Sequence, residues 1–260
     1  MPETPRWLVM KGQTDKALGI LRRLGSEAEA KQVLTEIQGS LSHVSTKLFA
    51  FGGLVVFVGI MLSVFQQLVG INAVLYYAPL MFKNMGLDTN ASLLQTVIVG
   101  IANVAFTLVA LVTVDRWGRK PLLVLGAVVM AISMLVLGTL FATNQYGIVA
   151  LIAVIAYIAG FALSWGPVVW VLLAEIFPNA VKNKAMAIAV CAQWLANILV
   201  STTFKVLIDN SWLNALFNHG FVYWVYGGMS VLAAFFVLRY VPETKGRTLE
   251  EINQLWVKRQ

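Results

Sequence analysis

The chain is 260 residues long, 59% hydrophobic and only 12% charged, with a formal charge of +7. A soluble domain carries about 25% charged residues, so this composition excludes a soluble globular enzyme and reads as a polytopic membrane protein. The positive charge does not read as a nucleic-acid surface, because it follows membrane topology, and the single Cys191 excludes an internal disulfide.

Pro2-Glu-Thr-Pro5-Arg6-Trp7-Leu8 opens the chain. Thr14 is placed to cap a short helix, Asp15 to Leu24, that ends at Gly25. Ser26 with Glu29 three residues on is a capping box and predicts a second helix towards Ser42. Both helices are amphipathic, and residues 1–48 are expected to form a cytoplasmic helical segment. The stretch from Met1 to Ser42 is polar and mixed in charge, which does not fit a signal peptide.

Apolar segments follow at 49–82, 91–114, 120–142, 147–174, 184–204 and 219–240. At about 1.5 Å per helical residue, each can cross a hydrocarbon core of about 30 Å. None carries Asp, Glu, Lys or Arg deep inside. The expected bundle covers 49–241, with a cytoplasmic tail at 242–260. The first segment is long enough to be tilted or broken, and Gly70 is where it would be interrupted. The fourth carries Ser164-Trp165-Gly166-Pro167 at mid-depth, where Pro167 removes a backbone donor and predicts a kink or break.

Ser63 to Tyr77 carries the chemistry. Gln66, Gln67 and Asn72 stand beside Tyr76 and Tyr77 inside an uncharged run. An unpaired amide in hydrocarbon costs several kcal/mol, so these groups must face protein, a cavity or a polar ligand. Gln66 and Gly70 are four apart, as are Asn72 and Tyr76, which gathers the polar groups towards one helix side. A lone membrane glutamine reads as a bond between helices. Three carboxamides beside two tyrosines read instead as a site for a neutral polyhydroxylated molecule, since amides both donate and accept.

Six spans put both termini on one side. Seventeen of the 19 Lys and Arg fall on that side; Lys83 and Lys205 are the others. The positive-inside rule therefore predicts cytoplasmic termini. Three loops on that side carry patterned charge: Asp115-Arg116-Trp117-Gly118-Arg119-Lys120, then Glu175 to Lys184, then Pro242-Glu243-Thr244-Lys245-Gly246-Arg247. Opposed charges there can lock neighbouring helices together, or can serve as topology signal on solvated loops. Pro2-Glu3-Thr4 also recurs as Pro242-Glu243-Thr244, straight after the last span. If both copies mark the same place in a repeat, six further spans precede Met1.

These residues together resemble the C-terminal half of a major facilitator superfamily sugar porter, over essentially the whole chain. Pro2-Glu-Thr-Pro-Arg6-Trp7 resembles the motif after the family's sixth helix. Asp115-Arg-x-Gly-Arg-Lys120 resembles its loop between helices eight and nine, and Pro242-Glu-Thr-Lys-Gly246 the motif after helix twelve. Gln66-Gln67-x-x-Gly70-x-Asn72 resembles its seventh-helix sugar site. Within the family the chain looks like bacterial D-xylose–proton symporters, because Ser164-Trp165-Gly166-Pro167 and Gln193-Trp194 depart from the animal glucose facilitators.

The resemblance implies an all-α polytopic membrane protein of six transmembrane helices, the second half of a twelve-helix transporter, preceded by a short cytoplasmic helical pair. It implies that Gln66, Gln67, Asn72, Trp170 and Gln193 hydrogen-bond a monosaccharide, pentose or hexose, with Tyr76, Trp194, Asn103 and the Gly166 backbone lining the pocket. For Trp170 taken alone, lipid or core packing is the alternative. It implies a cytoplasmic charge lock of Asp115, Arg116, Arg119, Glu175, Lys182 and Glu243, and a proton-carrying carboxylate in the family's first half. One departure bears on the lock: Lys182-Asn183 stands where the family has Arg-Gly, and lysine lacks the planar fork that pairs bidentately with a carboxylate such as Glu175.

The resulting expectation is sugar transport by alternating access in a plasma (bacterial inner) membrane, with no cofactor and no metal. The lipid bilayer and a six-helix N-terminal half are the expected partners. A facilitative hexose transporter half, a sugar receptor or scaffold, and a non-functional fragment are the alternatives. A membrane enzyme would need a nucleophile, metal cluster or carboxylate pair at depth, and neither His43 nor His219 has such a partner in the sequence. The topology makes a direct prediction. A cysteine placed at Asn144 reacts with an impermeant thiol reagent added outside intact cells, and one placed at Gln13 does not; the reverse labelling pattern would invert the orientation.

Overall fold

The computed structural model describes residues 3–42, 53–84, 88–145, 147–178, 181–246 and 252. The chain divides into two compact units, residues 1–50 with 179–181, and residues 51–178 with 182–260.

In the first unit, α1 (Pro5–Met10) begins at Thr4, whose side chain accepts from the Trp7 backbone N–H. This helix is not anticipated by the sequence reading, although Thr4 followed by Pro5 is a good start signal. The second helix, α2, spans Thr14–Leu21, not Asp15 to Leu24. Thr14 lies inside it, and Gln13 occupies the cap without a side-chain bond. The helix closes early because Arg23 and Leu24 donate three residues back, to Ile20 and Leu21, which tightens the last turn. Ser26 opens α3 (Glu27–Ser42) through the expected reciprocal box: the Glu29 N–H donates to Ser26 Oγ, and the Ser26 N–H donates to Glu29 Oε2 at 2.9 Å. Leu8, Ala17, Leu21 and Ala30 form the small core of the three helices.

Among the described residues, the second unit holds six helices or broken helices long and apolar enough to cross a membrane. The first is interrupted, with α4 (Gly53–Leu68) and α5 (Ile71–Asn84) separated at Val69 and Gly70. Then come α6 (Thr89–Trp117), α7 (Arg119–Ala142), α8 (Ile148–Gly160), α9 (Gly166–Ile176), α10 (Lys182–Ile208), α11 (Ser211–Phe217) and α12 (Gly220–Tyr240). A π-helical stretch, Phe161–Trp165, joins α8 to α9. Pro167 thus does not break the fourth span. The five-residue bonding of the π turn widens the helix just before the proline and absorbs its missing donor and its ring. Short α11 was not expected; Asn210 caps it by accepting from the Leu213 N–H. His219 stands next to it in a left-handed conformation, its Nδ1 paired at 2.9 Å with the Ile208 carbonyl.

The pairing of α7 with α12 is the most extensive in the bundle. Small residues permit it: a Cβ on Gly220 would lie 2.3 Å from the Gly138 carbonyl oxygen, and one on Gly138 would lie 2.5 Å from the Trp224 ring. Such residues let membrane helices approach where the hydrophobic effect gives no attraction between them. Towards α9, Gly126 of α7 receives Ser164, whose hydroxyl donates to the Gly160 carbonyl at 2.6 Å. In contrast, α6 exposes Leu93, Ile101, Leu108 and Leu111, an apolar surface no soluble monomer would carry.

The Gly126 contact predicts a stability difference. A Cβ at Gly126 would sit 1.7 Å from Ser164 Oγ and 2.6 Å from the Gly160 carbonyl, whereas one at Gly100 meets nothing within 4 Å. Gly126→Ala is expected to destabilise the bundle by about 1–3 kcal/mol, the usual penalty of overpacking. Gly100→Ala is expected to be neutral or mildly stabilising. Thermal unfolding in detergent decides, and equal midpoints for the two variants would refute the packing.

Candidate functional site

The site is built on the interruption of the first span. Gly70 has φ +93°, a conformation outside the range of most side chains, and a Cβ there would lie 2.6 Å from the Tyr226 ring. The backbone is nonetheless paired. The Gly70 N–H donates to the Gln67 carbonyl at 2.9 Å, and the Val74 N–H restarts the helix by donating to the Gly70 carbonyl at 3.0 Å. The buried Tyr157 hydroxyl donates to the Val69 carbonyl at 2.8 Å. These bonds meet the requirement that backbone at membrane depth finds protein partners.

Around the break, Gln66 and Gln67 are both at least 95% buried. Gln66 Nε2 donates to the Trp165 carbonyl at 2.8 Å and the Gly166 carbonyl at 3.2 Å. Asn72 Nδ2 donates to Gln67 Oε1 at 2.7 Å and to Asn197 Oδ1 on α10 at 3.1 Å. The helical spacing therefore does not carry through the break. Asn72 pairs with Gln67 five residues away, because Gly70 resets the register, and Tyr76 is 57% exposed. Gln193, on the same helix as Asn197, is buried with its Oε1 unpartnered, as is Gln66 Oε1. A buried acceptor left unpaired costs about 1–3 kcal/mol, and a donating hydroxyl would remove that cost.

The structure places two bonded sets at the break: Gln66 with the Trp165 and Gly166 carbonyls, and Asn72 with Gln67 and, newly, Asn197. Tyr76, Trp170 and Trp194 are exposed and Asn103 is half-buried on α6; none of the four bonds either set among the described residues. Asn197 was missed by the sequence reading. The signal was the run Gln193, Asn197, Ser201, four apart on an otherwise apolar span; the Ser201 hydroxyl donates to Asn197 Oδ1 at 3.3 Å. Tyr157 and Tyr226 were also missed, since a buried tyrosine in an apolar helix gives no sign of the carbonyl it will meet.

The charged motifs converge at one end of this unit. Arg119 Nε lies 3.2 Å from both Glu175 oxygens, its Nη2 reaches Glu175 Oε1 at 2.8 Å, and it also pairs with Asp115 at 3.0 Å. Thr244 Oγ1 donates to Glu175 Oε2 at 2.6 Å. Lys182 forms no ion pair among the described residues, so Arg119 supplies the planar fork for Glu175 that the sequence reading sought at 182. Arg116 enters only through its carbonyl, which accepts from Lys245 Nζ. Among the described residues Glu243 forms no ion pair; it accepts the Arg119 and Lys120 N–H groups at 3.1 and 3.0 Å, capping α7. Burial opposes its charge, but four backbone donors, from Lys245, Arg119, Lys120 and Thr244, outweigh that and hold its carboxyl below the usual range.

A six-span bundle with a carboxamide network at a broken span is a polytopic membrane protein with a polar site in its apolar interior. The chain belongs to the Sugar (and other) transporter family, whose sequence profile matches residues 1–256. It is 56% identical over 259 residues to the D-xylose-proton symporter of Escherichia coli K12, a match covering 98% of this chain and 53% of that protein. It is 51% identical to the glucose facilitated diffusion protein of Zymomonas mobilis, covering 98% and 55%. The structure is similar to that of the major facilitator superfamily proton:xylose symporter XylE bound to 6-bromo-6-deoxy-D-glucose, with TM-score 0.82 at 56% identity over 98% of this chain and 55% of that one. Against the inward-open xylose transporter XylE from E. coli the TM-score is 0.73, over 98% and 52%. The chain thus has the all-α, six-helix fold of a C-terminal major facilitator half and spans about half the length of the curated relatives it matches.

The Glu243 cap gives a pH prediction. Its native value lies below the ordinary 4.5, so its stabilisation is complete above that value and is lost as pH falls through the native one. Glu243→Gln is expected to cost about 1 kcal/mol at neutral pH, a figure reduced for partial exposure, and to flatten the decline in stability as pH falls below the ordinary 4.5. A variant whose midpoint falls with acid as steeply as the parent's would show that the cap is not the titrating element.

Proposed function

We propose that this chain forms the C-terminal half of a monosaccharide transporter, and that in the complete protein it carries D-xylose or a related pentose or hexose by alternating access, coupled to protons. The observation that carries this reading is the buried, unpartnered Gln66 Oε1 at the Gly70 break, together with the unpartnered Gln193 Oε1 one turn from Asn197, which bonds Asn72. Polyhydroxylated ligands supply the donors these oxygens lack. In this reading Gln66, Gln67, Asn72, Trp170 and Gln193 bond the sugar, and Tyr76, Asn103, Gly166 and Trp194 line the pocket. Residues 1–48 form the cytoplasmic segment, 49–241 the bundle and 242–260 the tail, with both termini in the cytoplasm of a cell bounded by this membrane. The cluster of Asp115, Arg119, Glu175 and Glu243 holds the cytoplasmic ends together in one state of the transport cycle. The relatives' names support both proton symport and facilitated diffusion, the latter through the Zymomonas protein.

A proton carrier usually needs a titratable group at depth. The described spans hold none in their interiors, and Asp115 and Glu175 lie at helix ends bound to Arg119. The second, N-terminal bundle is therefore proposed to supply both the other wall of the site and the proton carrier. The test is reconstitution in liposomes with an inward proton gradient. Uptake of D-xylose is expected only when a six-helix N-terminal half is co-assembled, and Gln66→Ala in that complex is expected to weaken D-xylose binding about tenfold to a hundredfold. Uncoupler-sensitive uptake by this chain alone, or unchanged binding in the Gln66 variant, would sink the reading.

A further inference from the structure

The carboxamide network has a direction as well as a location. An asparagine side chain has two N–H donors on one atom and an acceptor oxygen on the other. Asn72 Nδ2 faces two oxygens, Gln67 Oε1 at 2.7 Å and Asn197 Oδ1 at 3.1 Å, so both of its donors are held within the protein. Turning the amide over would set Asn72 Oδ1 against those same oxygens, which is repulsive. The Asn72 oxygen is therefore the group left for a ligand, and no described residue donates to it. Asn197 is itself buried, and its Oδ1 also accepts from Ser201 at 3.3 Å. Gln66 has the same polarity. Its Nε2 is engaged by two carbonyls and its Oε1 is unpartnered.

We propose that Asn197 is a positioning residue that fixes the hydrogen-bond polarity of the site. It turns the Asn72 carbonyl oxygen towards the ligand, so that this position accepts only a hydroxyl that donates. The inference rests on the proposed sugar site and adds a selectivity to it. Fluorine accepts weakly and never donates, so a sugar carrying fluorine in place of the hydroxyl that meets Asn72 is rejected, although its size and shape are nearly kept. Asn197 does this without touching the sugar, which separates it from Gln66 and Asn72.

The experiment measures binding of D-xylose and of its monofluoro analogues to the membrane-embedded protein assembled with its N-terminal half. In the parent, one analogue is expected to bind about tenfold to a hundredfold more weakly than D-xylose, as for a buried acceptor that loses its donor. Asn197→Leu frees the Asn72 amide to turn its N–H outward. The penalty for that one analogue is then expected to fall below about threefold, while the penalties of the others stay as they were. Asn197→Asp keeps an acceptor in place and is expected to retain the parent's discrimination. Asn197→Ala, a smaller truncation that also removes the acceptor, is expected to reduce the same penalty and carries the test if Asn197→Leu does not fold. An unchanged penalty in Asn197→Leu, or in Asn197→Ala where that variant carries the test, overturns the inference. So does an equal loss of affinity for every sugar, the mark of a merely structural role. Absence of D-xylose binding in the parent overturns the proposed function itself, and the two failures are thereby told apart.

Discussion

The interruption at Gly70 is the constraint on which the rest of the bundle depends. A helix that stops inside a membrane leaves backbone groups with no water to meet, each costing several kcal/mol if unpaired. Here one partner comes from another span, Tyr157 of α8, which donates to the Val69 carbonyl; the other groups pair within the segment. Two further spans close on the break: the Tyr226 ring of α12 occupies the place of a Gly70 side chain, and Asn197 of α10 receives the Asn72 side chain. Contacts to three helices at one break hold those helices in register. The same break brings Gln67 and Asn72 together in a way a continuous helix would not, since residues five apart do not share a face. The feature that would have been a liability thus becomes the scaffold of a polar site.

The fourth span answers the same problem differently. Pro167 denies a donor to the turn before it, and the π-helical stretch Phe161–Trp165 accommodates this without ending the helix. The surrounding side chains then serve packing and alignment. The Trp165 indole donates to the Leu123 carbonyl at 2.9 Å, Ser164 fills the space that Gly126 leaves open, and Gln66 bonds the carbonyls of Trp165 and Gly166. The two irregular segments are therefore joined through one glutamine, and disturbing either would displace the other.

Much of this was legible because membrane sequences are read by length and by exceptions. Long uncharged runs fixed the spans, and polar residues inside them stood out as Gln66, Gln67 and Asn72. What escaped had a physical reason. Asn197 and Ser201 look like isolated polar residues until the fold sets them against Asn72. A π turn has no composition of its own, so Ser164-Trp165-Gly166-Pro167 announced an irregularity but not its kind. Lys182 and Arg119 carry the same charge, and only geometry could show that Arg119, with a rigid fork at the start of α7, meets Glu175. Glu243 read as one half of an ion pair, yet it caps α7 instead, because backbone N–H groups leave no trace in a sequence.

The two polar regions of the bundle differ in how completely they are satisfied. At the charged end, Glu175 accepts from Arg119 and Thr244, and Glu243 accepts four backbone N–H groups. Such a cluster is complete within this unit and needs no further partner to be stable. At the broken span the backbone groups named above are paired, but Gln66 Oε1 is not, nor is Gln193 Oε1 on α10; Gln95 Oε1 and Asn214 Oδ1 are open elsewhere. Buried acceptors are ordinarily satisfied in folded proteins, so an open one beside a backbone irregularity calls for an explanation. Selection for stability would replace Gln66 and Gln193 with apolar residues of similar volume. Their presence is understandable if the missing donors arrive with a ligand.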